Sequence, residues 1–351
     1  MSKLHFRPYL VGVVWVLLLV LAASVAAQKP DSPPAAAPDS APAQADEDQS
    51  AATFKANVEV VQLFFNVKDK HGALIPSLTK DNFDILEDGK PQTIKYFKAE
   101  TDLPLTLGIL IDASGSQKRV LAIEQEVGGS FLENTLRPRD MASVFSFDVD
   151  VNLLQDFTGS VSRLKKALNE VKINSGTGAC ANLPGLGGGP IPCPSSGPRG
   201  TVLYDAVYVA SHDAFAQEVG RKAMILLTDG EDQGSRLKIR DAIGAAHKAD
   251  VICYVLLIAD RGITMGFGGG DMHKLTAETG GRVIEVGNKF EKLKQAFDQI
   301  SQELRSQYNI GYTPTNNNRD GSFRKVEIKA KGGEYKIQAR SGYYAIPRKG
   351  E

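Results

Sequence analysis

Five short, mostly apolar runs punctuate the middle of this chain, at residues 105–111, 142–147, 223–227, 251–258 and 283–286. A strand that is apolar on both faces has to be covered on both faces. Between most of these runs lie helical stretches, at 120–136, 161–171, 202–216, 237–247, 272–278 and 290–304. Strands alternating with helices in this way predict a mostly parallel sheet sandwiched between helical layers. The segments 142–147 and 151–156 are joined too tightly for a crossover helix, so the second is expected as an antiparallel edge strand. The expected fold class is α/β, a doubly wound and mostly parallel sheet over residues 103–307.

The flanks follow a different period. Val61, Leu63, Phe65 and Val67 alternate, and Asp69-Lys70-His71-Gly72 reads as a turn. Residues 83–87 and 93–97 flank Asp88-Gly89, the expected centre of a hairpin. After Gln307 the chain returns to β, with strand-like segments at 308–313, 323–330, 335–340 and 343–346 and turns at Gly332-Gly333 and Ser341-Gly342. Neither flank, 53–102 or 308–351, has enough strands for a stable sheet of its own. Together they predict one small β-sandwich built from N- and C-terminal strands, with the α/β part inserted between its halves.

Residues 1–27 carry a short basic start (Lys3, His5, Arg7), an apolar stretch from Tyr9 to Ala23, and small residues at Val25-Ala26-Ala27. This is the pattern of a signal peptide cleaved after Ala27. The length is also close to the ~20 residues of a membrane anchor. Either reading exports the remainder to the periplasm, the cell surface or the medium. Residues 28–52 are Ala, Pro, Ser, Asp and Gln with little to bury, as in a disordered tether. Three cysteines fit export: Cys180 and Cys193 share one Gly/Pro-rich loop and are expected to bridge, whereas Cys253 lies in an apolar run and is expected buried. Lysine plus arginine equals aspartate plus glutamate, 41 each, so no long-range field draws nucleic acid or an anionic membrane. Binding must come from a local site.

Such a site is written at the strand ends. The first apolar run closes in Asp112-Ala113-Ser114-Gly115-Ser116, just before a helix, and ligands bind beyond the carboxyl ends of strands in doubly wound sheets. Thr201 opens a later helix, and Asp229 follows the strand at 224–227 within Thr228-Asp229-Gly230. Carboxylates and hydroxyls alone suit a hard cation that wants oxygen ligands. These residues resemble the von Willebrand factor type A family, whose signature is Asp-x-Ser-x-Ser, a later Thr and an Asp after the fourth strand. The resemblance covers roughly residues 103–307. It implies a Rossmann-like fold and a metal-ion-dependent adhesion site in which Asp112, Ser114, Ser116, Thr201 and Asp229 hold Mg²⁺, with Mn²⁺ or Ca²⁺ as alternatives. It also implies a protein partner that offers an Asp or Glu carboxylate to the open position of the ion. The whole layout is similar to the von Willebrand-related proteins of Acidobacteria, through the stretch Asp88 to Ile94 and the closing Arg340-Ser341-Gly342-Tyr343-Tyr344.

Blander readings stand beside this one. Asp112-x-Ser-x-Ser alone could merely cap a helix. Phe147-Asp148-Val149-Asp150-Val151 imitates the nucleophile motif of haloacid-dehalogenase-type phosphatases, yet no lysine or acidic-pair motif stands behind it, so a polar hairpin turn is expected. Glu231 and Asp232, which follow Asp229, could tune the local charge, but the commoner reading of such residues is a solvated face. The loop at 262–270 is glycine-rich without a nucleotide-binding pattern. Four histidines (His71, His212, His247 and His273) are scattered, and none lies near the motif, so no general base is expected there. The expectation is an exported, metal-dependent binding protein rather than an enzyme. The alternative is a metal-independent scaffold of the cell envelope that pairs through β-edges.

Overall fold

The computed structural model describes residues 60–99, 103–173, 200–258, 269–287 and 289–346. The expected leader at 1–27, the tether at 28–52 and the Cys180–Cys193 bridge lie outside the described residues. The chain opens with β1 (Val61–Lys68), β2 (Phe83–Glu87), β3 (Lys90–Gln92) and β4 (Ile94–Lys98). It continues through β5 (Leu105–Asp112), α1 (Leu121–Thr135), β6 (Met141–Phe147), β7 (Val151–Thr158), α2 (Val161–Glu170), α3 (Leu203–Val209) and β8 (Arg221–Thr228). Then come α4 (Ile239–Ala249), β9 (Val251–Leu257), α5 (Gly269–Thr279), β10 (Val283–Glu285) and α6 (Phe290–Arg305). It closes with β11 (Tyr308–Tyr312), β12 (Phe323–Ala330), β13 (Lys336–Ala339) and β14 (Gly342–Tyr344).

The α/β segment forms one sheet in the order β10-β9-β8-β5-β6-β7, parallel except for β7. Every residue of β5 is buried, because the strand lies mid-sheet and its two faces have separate covers. Leu105, Leu107, Ile109 and Ile111 share a core with Val127 and Phe131 of α1, Leu164 and Leu168 of α2, and Phe297 and Ile300 of α6. Leu110 belongs to the opposite core, with Phe145, Met224, Leu203 of α3, Ile243 of α4 and Leu275 of α5. This two-sided burial is what a strand apolar on both faces requires, and at roughly 25 cal/mol per Å² it is the main favourable term of this part. β7 pairs only with β6 and is half exposed, as an edge strand should be.

The helix expected at 202–216 is broken. α3 stops at Val209, and a π turn (Ala210–Ala214) and a 3-10 turn (Phe215–Gln217) follow. They deliver the Phe215 ring to Gly108 of β5, where a Cβ would sit 2.8 Å from the ring. The buried aromatic takes the space that glycine leaves empty.

The flanks form two antiparallel four-stranded sheets, β13-β1-β11-β4 and β14-β12-β2-β3. Each draws strands from both ends of the chain, and they share a core of Leu63, Phe65, Val67, Phe83, Ile85, Tyr308, Ile310 and Tyr312. Phe65, Phe83 and Tyr308 pack with ring centroids 5.3 to 5.5 Å apart, the spacing favoured by edge-on and offset aromatic pairs. Asp88 and Gly89 take φ of 47° and 79°, which suits the two-residue turn joining β2 to β3.

One buried polar cluster sits in this sandwich. Glu87 is 2% exposed, and its Oε1 lies 3.3 Å from the Arg324 guanidinium. Its Oε2 accepts from the hydroxyls of Tyr312 at 2.7 Å and Tyr343 at 2.9 Å. Arg324 also donates to the carbonyls of Asn316 and Asn318, pinning the loop between β11 and β12.

β1 is covered on its second face too, where Asn66 Nδ2 donates to the Glu303 carbonyl of α6 at 2.8 Å. The chain passes into and out of the α/β part at adjoining points. β4 and β11 are hydrogen-bonded neighbours, and the buried Arg221 at the start of β8 donates to the carbonyls of both Leu103 and Leu304.

Candidate metal site

The loops at the carboxyl ends of β5 and β8 lie at the far end of the sheet from this anchoring. Asp112 is the last residue of β5 and is 0% exposed. Its Oδ1 accepts from the Ser114 amide at 2.9 Å, and its Oδ2 accepts from the Thr228 hydroxyl at 2.7 Å. Ser114 caps a short 3-10 turn (Gly115–Arg119), and the Ser114 and Ser116 hydroxyls share a hydrogen bond at 2.9 Å. The Ala113 amide donates to the Phe147 carbonyl of β6 at 2.8 Å, which fixes this loop to the neighbouring strand.

Because β5 and β8 pair in register from Leu105↔Arg221 to Ile111↔Leu227, Thr228 and Asp229 fall beside Asp112. Asp229 is half-buried, and its Oδ1 accepts from the Glu231 amide at 3.1 Å. Thr201 is buried and joins the group through its backbone, since its carbonyl accepts from the Gln233 amide at 3.0 Å. The next amide, Val202, donates to the Asp148 carbonyl at 2.7 Å. Asp148 and Asp150 sit in the β6–β7 turn, where Asp148 Oδ1 accepts from the Asp150 amide at 3.0 Å. That is the hydrogen bonding of a polar hairpin turn.

The loop after β8 is stitched to the start of α3. Asp232 does not lie on a solvated face as expected: its Oδ1 accepts from the Tyr204 amide at 3.2 Å and the Ser235 hydroxyl at 2.5 Å. Asp205 accepts from the amides of Arg236 and Leu237, both at 3.0 Å. The structure thus links Asp112, Ser114 and Ser116 by hydrogen bonds at the end of β5, sets Asp229 beside Asp112 at the end of β8, and ties the Thr201 backbone to the loop that follows Asp229.

Among the described residues, negative charge accumulates here without a counter-charge. Burial pushes the Asp112 carboxyl up to about 6, the like charge of Asp229 adds to this, and hydrogen bonds from Ser114 and Thr228 oppose it. Glu124, in the first turn of α1, is 0% exposed and is pushed up to about 8, first by burial and then by Asp112 and Asp229. Among the described residues, none of these three carboxylates has a Lys or Arg partner in an ion pair. A carboxyl group buried in this way is neutralised either by a proton or by a cation.

The donor set fits such an ion. No three His, Cys, Asp or Glu side chains converge as a metal-holding group among the described residues, so the hydroxyls of Ser114, Ser116 and Thr201 would have to contribute beside the two aspartates. An all-oxygen set of that kind matches a hard divalent cation. His71, His212 and His273 are exposed; His247 is buried on α4 against Phe323 and Tyr344 of the sandwich.

No family model and no curated protein matches the sequence. Solved structures do. The conserved hypothetical protein BatB from Bacteroides thetaiotaomicron is 18% identical, with 57% of this chain and 100% of that chain covered and a TM-score of 0.43. Proximal thread matrix protein 1 from the mussel byssus, in a form with a zinc-occupied MIDAS motif, is 14% identical over 62% of this chain and 49% of that chain, with a TM-score of 0.46. The vWF domain of the type V pili tip protein Mfa5 from Porphyromonas gingivalis is 19% identical over 37% of this chain and 39% of that chain, with a TM-score of 0.27. The fold class itself rests on the sheet order and register above.

Proposed function

We propose that this chain is an exported, divalent-cation-dependent protein-binding module of the von Willebrand factor A type. Asp112, Ser114, Ser116, Thr201 and Asp229 would hold Mg²⁺, or Mn²⁺ or Ca²⁺ in its place. The observation that supports this most is Asp112: a fully buried carboxylate at the end of a central strand, aligned by an amide and a hydroxyl and facing the like charge of a second aspartate.

When bound, the ion would supply a Lewis-acidic point of attachment for an incoming carboxylate. The chain's own groups set up that attachment. Thr228 and the Ser114 amide hold Asp112 in one orientation, and the hydrogen bonds of Asp205 and Asp232 fix the loop that follows Asp229. Hydroxyl ligands carry no full charge, so such a set would leave the ion electrophilic toward an Asp or Glu of a protein partner. The absence of a histidine from the described crevice favours capture over hydrolysis, which needs a positioned base.

Calorimetric titration of Mg²⁺ and Mn²⁺ into the chain, beside Asp112→Ala, tests this. A single saturable site lost in the variant is the expected result, with partner capture reversed by chelator. Heat of binding that survives unchanged in Asp112→Ala sinks the assignment.

A further inference from the structure

The five-residue pattern does not account for Glu124. This side chain stands on the buried side of α1 with Leu121, Val127 and Phe131, which share one core with Ile111 and Leu227. Neither of its carboxyl oxygens has a hydrogen-bond partner among the described residues. The charges acting on it are those of Asp112 and Asp229, both negative. A carboxyl group is rarely left unbonded in a core unless something else arrives to bond it. A second orphan lies close in sequence to the crevice: Gln117, the residue after Ser116, is buried, and its Oε1 is also unpartnered.

Both orphans are acceptors. A water molecule on a cation has two O–H groups to donate, while its own lone pair is taken by the ion. We propose that Glu124 is a further carboxylate of the cation site, reaching the ion through a bound water that it shares with Gln117, and that it sets the charge preference of the site. This rests on the cation reading above. Outer-sphere groups of this kind orient the inner ligands and strengthen binding. A third negative charge also has a signature that packing lacks. Coulomb attraction scales with the charge of the ion, so removing it weakens a trivalent ion more than a divalent one.

The test is calorimetric titration of Mn²⁺ and of Tb³⁺ into the full chain, into Glu124→Gln and into Asp112→Ala. Glu124→Gln keeps the size of the side chain and deletes the charge. It is expected to retain one site, to bind Mn²⁺ about 10- to 100-fold more weakly, and to lose more for Tb³⁺ than for Mn²⁺. Unchanged Mn²⁺ affinity overturns the proposal and leaves the cation site standing. Equal weakening for both ions also overturns it, because packing damage does not sense ion charge. No saturable site in the unaltered chain overturns the cation reading itself. Glu124→Met, titrated in the same way, decides the question should the amide variant not fold.

Discussion

The sandwich and the α/β sheet each bury carboxylates, and they treat them in opposite ways. Glu87 in the sandwich meets a guanidinium and two phenol hydroxyls, all supplied by the chain. In the α/β part Asp112 meets a hydroxyl, an amide and the like charge of Asp229, and among the described residues Glu124 meets only the charges of Asp112 and Asp229. A buried charge needs compensation wherever it lies. Where the fold provides it, the group is architecture. Where the described residues offer none, the compensation is left for a proton or for something that binds.

The contrast breaks most readily at Arg324. Arg324→Met leaves Glu87 buried without its cation, and a loss of about 3–5 kcal/mol is expected in urea unfolding. A loss below about 1 kcal/mol would mean that water already compensates Glu87 and that the two regions do not differ. Asp112→Ala should behave the other way. Metal-free stability stays level or rises, while the stabilisation by added Mn²⁺ disappears, about 2.7 kcal/mol at a hundredfold excess over Kd. Thermal melts with and without Mn²⁺ check this, and a metal-dependent shift in the variant would contradict it.

Acidity sharpens the same point. Burial holds the folded pKa of Glu124 at about 8, above the ordinary carboxyl value of 4.5, so between these values the folded state keeps a proton that the unfolded chain has released. The metal-free protein should therefore lose stability as pH rises through that window, by at most about 1.4 kcal/mol per pH unit from this group. Glu124→Gln should flatten that part of the slope in denaturant unfolding measured from pH 5 to 8, and an identical slope in both proteins would count against the burial of an uncompensated carboxyl. The smallest effect is expected at Tyr343→Phe. It removes one of two hydroxyls on Glu87 Oε2 and should cost about 1 kcal/mol in the same unfolding assay. A much larger cost would show that the two phenols do not share the task.

Much of this was legible in the chain. The run at 105–111 becomes β5 because each side chain finds cover, and the short link at 148–150 does make β7 the antiparallel edge. The flanking strands do combine into a sandwich, because neither set could close a sheet alone. What escaped was set by tertiary approach. The Thr228 hydroxyl reaches Asp112 only because β5 and β8 are neighbours. Asp232 looked solvated because nothing local tells that the Tyr204 amide comes to meet it. The helix at 202–216 breaks for the sake of Phe215, whose place above Gly108 is a long-range fact. Glu124 did leave a local trace: Leu121, Glu124, Val127 and Phe131 fall on one helical stripe, and a charged residue there has no solvent to face.

The sandwich is stitched from the two flanks of the chain, and that has a consequence in time. Glu87 finds its phenol partners 225 and 256 positions later. During synthesis at ~5–20 residues per second, the N-terminal strands wait on the order of 10–50 s for those partners to exist. The α/β segment has its own cores and can condense in that interval, so closure of the sandwich comes last and should govern the folding rate. Until then β1, with five consecutive buried positions from Leu63 to Val67, is an unpaired edge that another nascent copy could capture. Slowing the middle of the chain would therefore raise aggregation through a strand that the slowed segment never includes.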